Sequence, residues 1–421
     1  MDSRRPSEPL SRLGLLGREP SFARLFLATI GSGAGTWLAL VALEVDVYER
    51  TGSSAWIAAL LIADLLPTFA IGLLVGPLVD RLSRRSLMIN ADLVRFGAFA
   101  VLPFTTNATQ IVALAAVVGV ATGFFRPAVY AGLPNLVEDR DLPAANSLLQ
   151  GADNLTWALG SVAGGALAAG VGVHAAYWIN SATFLLSAAL LIGIPQSLLQ
   201  AAAAASRGHW QDVKDGFALA VSSRPILTVL IAWNVAMFAI AAMNVAEPRL
   251  ALRTFSAGRF GLGLMMGCAG LGLTVGALLA SAWIARRGLP NVYGISLVLI
   301  ALGIGGAAAA PNVWVASASV IVAGCGNGSA IVCNALLVQR GAPDALRGRA
   351  FAMLMSTNVA FVTTGMVVAG WLTDSIGARW ILAAAGAFAG TAGVIGFGLA
   401  RRASASEPVR EQEPLAVSGP V

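Results

Sequence analysis

Charged side chains are scarce in this sequence. Only 11% of its 421 residues are Asp, Glu, Lys or Arg, while 57% are hydrophobic, and ordinary soluble proteins are about 25% charged. Because so few charges cannot cover the surface of a water-soluble fold, a soluble protein is excluded. Apolar runs of about 20 residues recur along the chain instead, and that is the length a helix needs to cross a bilayer.

Lysine and histidine are also rare, and each scarcity argues against a class of protein. The one lysine, Lys214, is followed by Asp215 rather than Ser or Thr, so the sequence has no phosphate-binding loop of an ATP-driven pump. The two histidines, His174 and His209, lie in loops without metal-ligand or catalytic-triad spacing. Transport driven by an ion gradient is therefore favoured over an ATP-driven pump or a membrane enzyme.

Cysteine is limited to three residues, all inside apolar runs, namely Cys268, Cys325 and Cys333. No loop cysteines are present to pair with them, and their spacing is not that of a metal site. We predict that they are small core residues and that the protein has no metal site.

Twelve apolar segments predict an all-α membrane protein with twelve transmembrane helices. Each segment is long enough to span a bilayer as a helix. The predicted spans are 22–48, 55–79, 87–104, 110–136, 147–171, 175–194, 225–246, 260–285, 291–310, 312–339, 350–373 and 379–400.

Basic residues are distributed unevenly between the loops on the two sides. Of the 27 arginine and lysine residues, nineteen fall on the side of the N-terminus and five on the opposite side. Because basic residues near span ends set orientation, we predict that the protein lies in the inner membrane with both termini in the cytoplasm. The net charge of +6 lies in these short loops, so no nucleic-acid partner is expected. The cluster from Arg249 to Arg259 is a local exception to the asymmetry.

The chain is predicted to consist of two six-helix halves. Residues 22–194 form the first half and 225–400 the second, between cytoplasmic tails at 1–21 and 401–421. The intervening segment 195–224 is polar, and within it a helical apolar spacing predicts an amphipathic helix, through Trp210, Val213, Phe217 and Val221. Sequence echoes about 200 residues apart, such as Trp178-Ile179 and Trp380-Ile381, support an internal repeat.

The most specific local pattern is the loop Gly76-Pro-Leu-Val-Asp80-Arg81-Leu-Ser-Arg84-Arg85 between the second and third spans. A short basic loop would serve orientation alone, but orientation requires neither the glycine nor the aspartate. Gly76 allows two helices to approach closely, and Asp80 can pair with neighbouring cationic groups or helix ends. This loop resembles the loop signature of the major facilitator superfamily.

Further segments are similar to a bacterial branch of that superfamily that includes macrolide-efflux and siderophore-export proteins. They are Tyr48 to Ser53, Ala91 to Arg95, Phe125 to Ala128, and Ala145-Asn146. The resemblance covers residues 20–400. It implies two pseudo-symmetric halves with a substrate site between them near the bilayer midplane, and it implies that the Gly76 to Arg85 loop gates the cytoplasmic side.

Two exporter signatures are present only in part. Gly160-Ser-Val-Ala-Gly-Gly165 resembles the antiporter motif but has Ser161 where that motif has proline, and its small residues would equally serve helix packing. The run from Ile111 to Ala121 lacks the arginine that many drug–proton antiporters carry there. Export coupled to protons is favoured on this basis.

Three carboxylates in the first two spans are candidates for proton coupling. Ionisable groups within spans are costly and therefore functional candidates by default. Glu44 and Asp46 lie near the outer end of the first span, and Asp64 lies about ten residues into the second span from the same side. Asp46 and Asp64 are preferred over Glu44. The alternative is that one of them simply reaches interfacial water or Arg50.

Other intramembrane polar groups divide between pairing and substrate binding. The spans three to five hold equal numbers of negative and positive side chains, which favours mutual pairing. They are Asp92, Arg95, Arg126 and Asp153. Arg126 precedes a proline and is also a candidate to face the substrate cavity. Further cavity candidates in the second half are Asn234, Asn244 and Glu247, for which packing is the alternative role.

Taken together, these features predict a secondary active transporter that exports small amphiphilic organic molecules by proton antiport. A cavity with few charges suits such molecules better than sugars or phosphates. The alternatives are a metabolite importer of the same fold and a non-transporting receptor. The expected partners are a small-molecule substrate and membrane lipid, the expected energy source is the proton gradient without a cofactor, and the expected functional unit is a monomer.

Overall fold

The computed structural model of the chain describes residues 9–74, 82–199, 223–342 and 346–405. Helices account for nearly all of these ranges, and no strand occurs within them. The helices are α1 Pro9–Arg18, α2 Pro20–Thr51, α3 Ser54–Leu74, α4 Arg84–Val101, α5 Ala108–Gly132, α6 Leu142–Gly170, α7 Val173–Ile192, α8 Arg224–Thr254, α9 Gly258–Arg287, α10 Leu289–Ala309, α11 Val313–Gly341, α12 Arg347–Ile376 and α13 Ala378–Ala405.

Helix ends follow from local sequence chemistry. Asn107 and Asn312 begin α5 and α11 by accepting hydrogen bonds from the backbone N–H groups three residues on, at 3.0 and 3.1 Å, which satisfies donors that a helix start leaves free. Gly52 ends α2 in the left-handed conformation, with φ of 63°. Glycine adopts this conformation at little cost, so the chain reverses at once into α3.

Eleven helices in the described part of the chain are long and apolar enough to cross a membrane. They are α2–α5 and α7–α13, the first four of the N-terminal half and the seven that follow α6. Helix α6 has sufficient length, 29 residues, but its first half is polar, with Asn146, Gln150, Asp153 and Asn154. Within the described residues, each of the twelve predicted spans coincides largely with one of the helices α2–α13.

The two ends of the helix bundle are named here by their landmarks. The tail side carries α1, and the far side carries the turn between α2 and α3 at Gly52 and Ser53. Arg24, near the start of α2, donates a hydrogen bond to the carbonyl of Gly193 after α7, so α2 begins and α7 ends on the tail side.

Helix α6 runs from the tail side to the far side. At its start, Asp141 lies 3.9 Å from Arg18 at the end of α1. Near its end, the Ala168 carbonyl accepts a hydrogen bond of 2.9 Å from Arg259, which also pairs with Glu49 on α2. Helix α6 therefore runs across the bundle from one side to the other, as its neighbours do. Its polar side chains are compatible with this position because the helix packs against α2 and α9.

The bundle consists of two halves with the same internal arrangement. In the N-terminal half, α2 packs against α6 and α7, α3 against α5, and α4 against α5 and α7. The corresponding helices of the C-terminal half pair identically, α8 with α12 and α13, α9 with α11, and α10 with α11 and α13. The most extensive contacts between the halves in the described part of the chain are those of α6 with α9 and α3 with α12, and they too correspond to each other.

Two segments differ from the sequence-based expectations. The predicted N-terminal tail contains the helix α1, whose Leu15 is buried. Helix α8 continues to Thr254, beyond the predicted span end at 246, through a π-helical turn at Leu250–Thr254 that follows Pro248. A proline inside a helix removes one backbone donor, and a π turn is one way to accommodate the disruption. The predicted amphipathic helix of the linker lies outside the described residues.

Candidate functional site

A cavity of about 390 Å³ lies within the N-terminal half. All six helices α2–α7 contribute to its wall, from Thr29 on α2 to Phe184 on α7. The wall is largely apolar, with charged groups at a few positions. The hydroxyl groups of Thr29, Ser32 and Thr36 donate to carbonyls of their own helix, so this face of α2 presents satisfied, weakly polar atoms to the cavity.

Close packing of α3 on α5 positions the charged groups of the cavity. Gly119 and Gly123 on α5 face the backbone of α3, and a Cβ at Gly123 would lie 2.9 Å from the Thr68 carbonyl oxygen. The Thr68 hydroxyl bridges the two helices, at 2.8 Å from the carbonyl oxygens of Asp64 and Gly119. Small residues spaced four apart allow such an approach between membrane helices. The contact places Asp64 beside the cavity-facing part of α5.

The Asp64 carboxylate is exposed to the cavity. In the described part of the chain it has no hydrogen bond or ion pair to its side chain, although Arg95 and Arg126 lie within electrostatic reach. An ionised carboxylate in a largely apolar cavity is poorly stabilised without a partner. Asp64 is therefore suited to bind either a cationic group or a proton.

Arg126 and Asp153 form an ion pair across α5 and α6. Their closest atoms, Nη2 of Arg126 and Oδ2 of Asp153, are 3.2 Å apart, and both residues line the cavity. The Arg126 side chain is 61% exposed, so its guanidinium retains donors that face the cavity. Arg126 thus both faces the cavity and pairs with an acid.

Arg95 is held more tightly than Arg126. It forms an ion pair with Asp92 one turn earlier on α4, and Asp92 accepts a second hydrogen bond of 2.7 Å from Ser187 on α7. The guanidinium carbon of Arg95 lies 4.2 Å from the ring centre of Phe125 and 4.5 Å from that of Phe184. A cation between two aromatic faces is attracted to both, so this arrangement fixes one wall of the cavity.

The five ionisable groups of the cavity region, each taken in its charged form, sum to one excess negative charge. Three carboxylates, Asp64, Asp92 and Asp153, face two guanidinium groups, Arg95 and Arg126. Because Asp92 and Asp153 have arginine partners, the excess resides at Asp64. The stacked rings of Trp37 and Trp157, 4.9 Å apart, add an aromatic surface next to the cavity, since Trp37 lines it.

The three carboxylates proposed for proton coupling lie in three separate environments. Asp46 accepts hydrogen bonds from Arg50 at 2.6 and 3.0 Å and from the Tyr177 hydroxyl at 2.9 Å. Glu44 is buried where α2 meets the C-terminal half, within electrostatic reach of Glu247. Asp64 faces the cavity. The structure thus does not bring the three together, and only Asp64 lines the cavity described here.

The cavity candidates from the second half lie elsewhere. Asn234 donates hydrogen bonds to the Leu230 carbonyl at 2.7 Å and to the Thr357 hydroxyl at 3.0 Å, both within its own half. Asn244 is half-buried on α8. Glu247 is buried, and its Oε1 atom has no hydrogen-bond partner in the described part of the chain. These three residues do not line the cavity of the N-terminal half.

The predicted gating loop is described only in part. Gly76, Asp80 and Arg81 lie outside the described residues. Arg85 donates hydrogen bonds to the carbonyls of Leu191 and Ile192 at the end of α7, where a cation satisfies free carbonyl groups. Arg84 begins α4, and its Nε atom is buried without a hydrogen-bond partner among the residues that the structure describes.

Polar contacts join the two halves on the far side, and the sequence did not reveal their centre, Asp374 on α12. Its carboxylate accepts hydrogen bonds from the Ser53 hydroxyl at 2.6 Å and the Ser54 backbone N–H at 2.9 Å, and it pairs with Arg249 at 2.9 Å. The available signal was the basic cluster from Arg249 to Arg259, which needs acidic partners. Arg259 finds one in Glu49, 2.8 Å away across the halves.

Glycines bring α6 and α9 into contact below this network. A Cβ at Gly165 would lie 2.8 Å from the Cα of Gly263, and one at Gly270 would lie 2.9 Å from the Ala158 backbone nitrogen. Gly165, the last residue of the motif from Gly160 to Gly165, therefore packs directly on the opposite half, whereas Gly164 packs on Leu38 of α2. The two halves are closed against each other on the far side.

Comparisons with known proteins agree with this architecture. Residues 15–417 match the family model described as transmembrane secretion effector. The chain is 25% identical to the uncharacterised MFS-type transporter YfiS of Bacillus subtilis, over 82% of this chain and 85% of that relative. It is 27% identical to the multidrug efflux pump Tap of Mycobacterium tuberculosis, over 86% of this chain and 88% of Tap.

Solved structures with the same fold include two transporters of low sequence identity. The nucleoside transporter NupG, as its D323A mutant, superposes with a TM-score of 0.76 at 15% identity, covering 90% of this chain and 99% of NupG. A bacterial homologue of the iron transporter ferroportin in an inward-facing state gives 0.72 at 16% identity, covering 90% and 98%. At such identities the likeness establishes the fold alone.

Proposed function

Because the chain belongs to the transmembrane secretion effector family of major facilitator transporters, we propose that it exports small amphiphilic organic molecules in exchange for protons. The tail side faces the cytoplasm in this proposal, the membrane is the cytoplasmic membrane, and the working unit is a monomer. Transport proceeds by alternating access, in which the halves open first to one side and then to the other.

The observation that carries the proposal is the cavity with the unpartnered Asp64. Its apolar and aromatic wall suits the body of an amphiphilic molecule, and the excess negative charge at Asp64 suits a basic group on that molecule. A proton and a cationic substrate compete for the same carboxylate, and such competition is the simplest basis for exchange. Two relatives, the multidrug efflux pump Tap and the putative bacilysin exporter BacE, support export.

The closed far side supports the direction of access. The contacts of Asp374 and Arg259 and the glycine packing of α6 on α9 all hold the halves together there. With the far side closed, a substrate reaches the cavity from the tail side. If the tail side is cytoplasmic, as the basic loops favour, the described conformation is the one that loads an export substrate.

The decisive experiment is transport by the purified protein in liposomes with an imposed pH gradient. Ethidium serves as a cationic amphiphilic probe, and a fluorescent pH indicator reports proton movement. We expect ethidium to move against the direction of proton flow, and adding ethidium to increase that flow. Protein-free liposomes provide the background. Movement of ethidium and protons in the same direction would instead indicate an importer, and the absence of probe-dependent proton movement would overturn antiport.

A further inference from the structure

Glu44 and Glu247 are two acids buried near the boundary between the two halves, on helices that contact each other. Glu44 lies on α2 of the N-terminal half and Glu247 on α8 of the C-terminal half, and each is only 3% exposed. Val41 and Val45, which flank Glu44, belong to the same apolar cluster as Ala246 beside Glu247. Helices α2 and α8 contact each other and the two carboxylates lie within electrostatic reach, so the boundary between the halves buries two acids in one region.

Neither acid has a cationic partner within the ranges that the structure describes. On the far side, Arg50 pairs with Asp46, Arg249 with Asp374, and Arg259 with Glu49. The remaining two arginines there lie over aromatic rings, Arg253 over Tyr48 and Arg379 over Phe255. On the cavity side, the charged groups are the five described above, in which both arginines already have an acidic partner.

The other groups around the pair are polar but carry no positive charge. Cys268 on α9 lies within electrostatic reach of Glu247 and next to Ser317 on α11. The Oε1 atom of Glu247 has no hydrogen-bond partner in the described ranges. Two ionised carboxylates buried near each other without a cation are strongly unfavourable in a membrane-spanning bundle. The closed far side is therefore compatible with the pair only when it carries a proton.

We propose that Glu44 and Glu247 together form a proton-binding site between the halves, and that uptake of a proton there permits the far side to close. When the halves part on the far side, the two carboxylates separate and meet water, and one of them takes up a proton from that side. Closure then buries the neutral pair. The proposal rests on the proton antiport proposed above, and it adds a second site distinct from Asp64.

After closure, the proposal requires the proton to leave toward the cavity, which neighbouring residues of α2 line. Leu43, the neighbour of Glu44 on α2, lines the cavity, as does Leu40 one turn earlier. Release of the proton into the cavity leaves a charged carboxylate at the buried boundary, which destabilises the closed far side. Proton release toward the tail side is thereby linked to reopening of the far side, as exchange transport requires.

The test measures far-side opening directly, as the distance between two spin labels. The labels are introduced by Val171→Cys and Trp314→Cys, at exposed positions near the far-side ends of α6 and α11, in a background with the three native cysteines replaced by serine. In the parent protein we expect the population with parted far sides to grow from mildly acidic to alkaline pH. In the Glu44→Gln, Glu247→Gln double variant, whose amides imitate neutral acids, we expect the closed population to persist at every pH.

Transport in liposomes separates this proposal from the proposed function. The double variant should lose export driven by the pH gradient while still binding ethidium with parental affinity. Glu138→Gln makes the same chemical change at an exposed tail-side acid and should behave as the parent. A double variant that retains both the pH-dependent distance change and driven export would overturn the proton site even though antiport stands. A parent protein without coupled proton flux would overturn antiport itself.

Discussion

The charged side chains around the cavity differ in whether they already have a partner of opposite charge or a hydrogen-bond donor. Asp92 has Arg95 and Ser187, and Asp153 has Arg126, whereas Asp64 has none of these in the described chain. A partnered charge gains little from a ligand because it must first give up its partner. At the scale of single residues, binding of a cationic substrate should therefore depend most on Asp64.

Replacing Asp64 by Asn removes this charge and nearly preserves the side-chain shape. We expect the affinity for ethidium to fall about tenfold, equivalent to ~1.4 kcal/mol, while a neutral ligand of similar size binds as before. Fluorescence titration of the purified protein measures both. Asp139→Asn, an identical change at an exposed acid on the tail side, provides the matched control. Equal weakening by the two variants would remove Asp64 from the binding site.

The buried pair of Asp92 and Arg95 should be structural rather than substrate-binding. Asp92→Asn leaves the buried Arg95 without its counter-charge, and breaking a buried pair on one side costs about 3–5 kcal/mol. We expect a large drop in the thermal unfolding temperature in detergent. The Asp92→Asn, Arg95→Gln double variant removes both charges and should recover most of the loss. A double variant as unstable as the single one would show that packing, not charge, is responsible.

At the scale of helices, the crossing of α6 and α9 sets how closely the halves meet. Gly165→Ala places a methyl group where the Cα of Gly263 lies within 2.8 Å, a distance that real Cβ contacts do not tolerate, so the helices must part. We expect the spin-label distance between positions 171 and 314 to lengthen, with a larger far-side-open population. Gly151→Ala on the same helix, where a Cβ meets nothing within 4 Å, should leave the distance unchanged.

Helices could be predicted from the sequence wherever apolar residues are continuous, because a bilayer requires long apolar runs of any helix that spans it. Helix α6 is the least apolar of the twelve predicted spans that the structure describes as helices. Its first half is polar, and the span was predicted from the apolar segment 147–171, which includes the apolar second half of the helix. The extension of α8 to Thr254 was missed because Arg249 and Arg253 made that stretch look like a loop, and their partners come from distant parts of the chain.

Ion pairs within and between helices were predictable only in part. Equal numbers of acidic and basic groups in the spans indicated pairing, but which acid meets which base depends on helix rotation. The role of Glu247 opposite Glu44 required the relative placement of two helices about 200 residues apart in sequence. Asp374 carried no distinguishing pattern, since a single acid at the end of a span is common. Its importance follows from contacts that cross the whole molecule.

At the scale of the whole molecule, the far-side network balances the closed state against the open one. The hydrogen bonds from Ser53 and Ser54 to Asp374 cross the halves, while the pair of Asp374 with Arg249 lies within one half. Only the crossing bonds are broken when the far side opens. Arg249 instead holds the Asp374 carboxylate in position, so the two partners of this acid should affect opening differently.

Asp374→Ala removes the acceptor of both crossing hydrogen bonds. Such bonds to a charged acceptor contribute about 1.5–3 kcal/mol each when buried, and less here because the Asp374 side chain is 30% exposed. We therefore expect the ratio of open to closed far sides to rise by about tenfold, measured from the distance distribution of the labels at positions 171 and 314. Arg249→Gln removes the ion pair but leaves Ser53 and Ser54 in contact with Asp374, so it should shift that ratio much less. If Arg249→Gln opens the far side as far as Asp374→Ala does, the ion pair within the C-terminal half, and not the bonds across the boundary, holds the molecule closed.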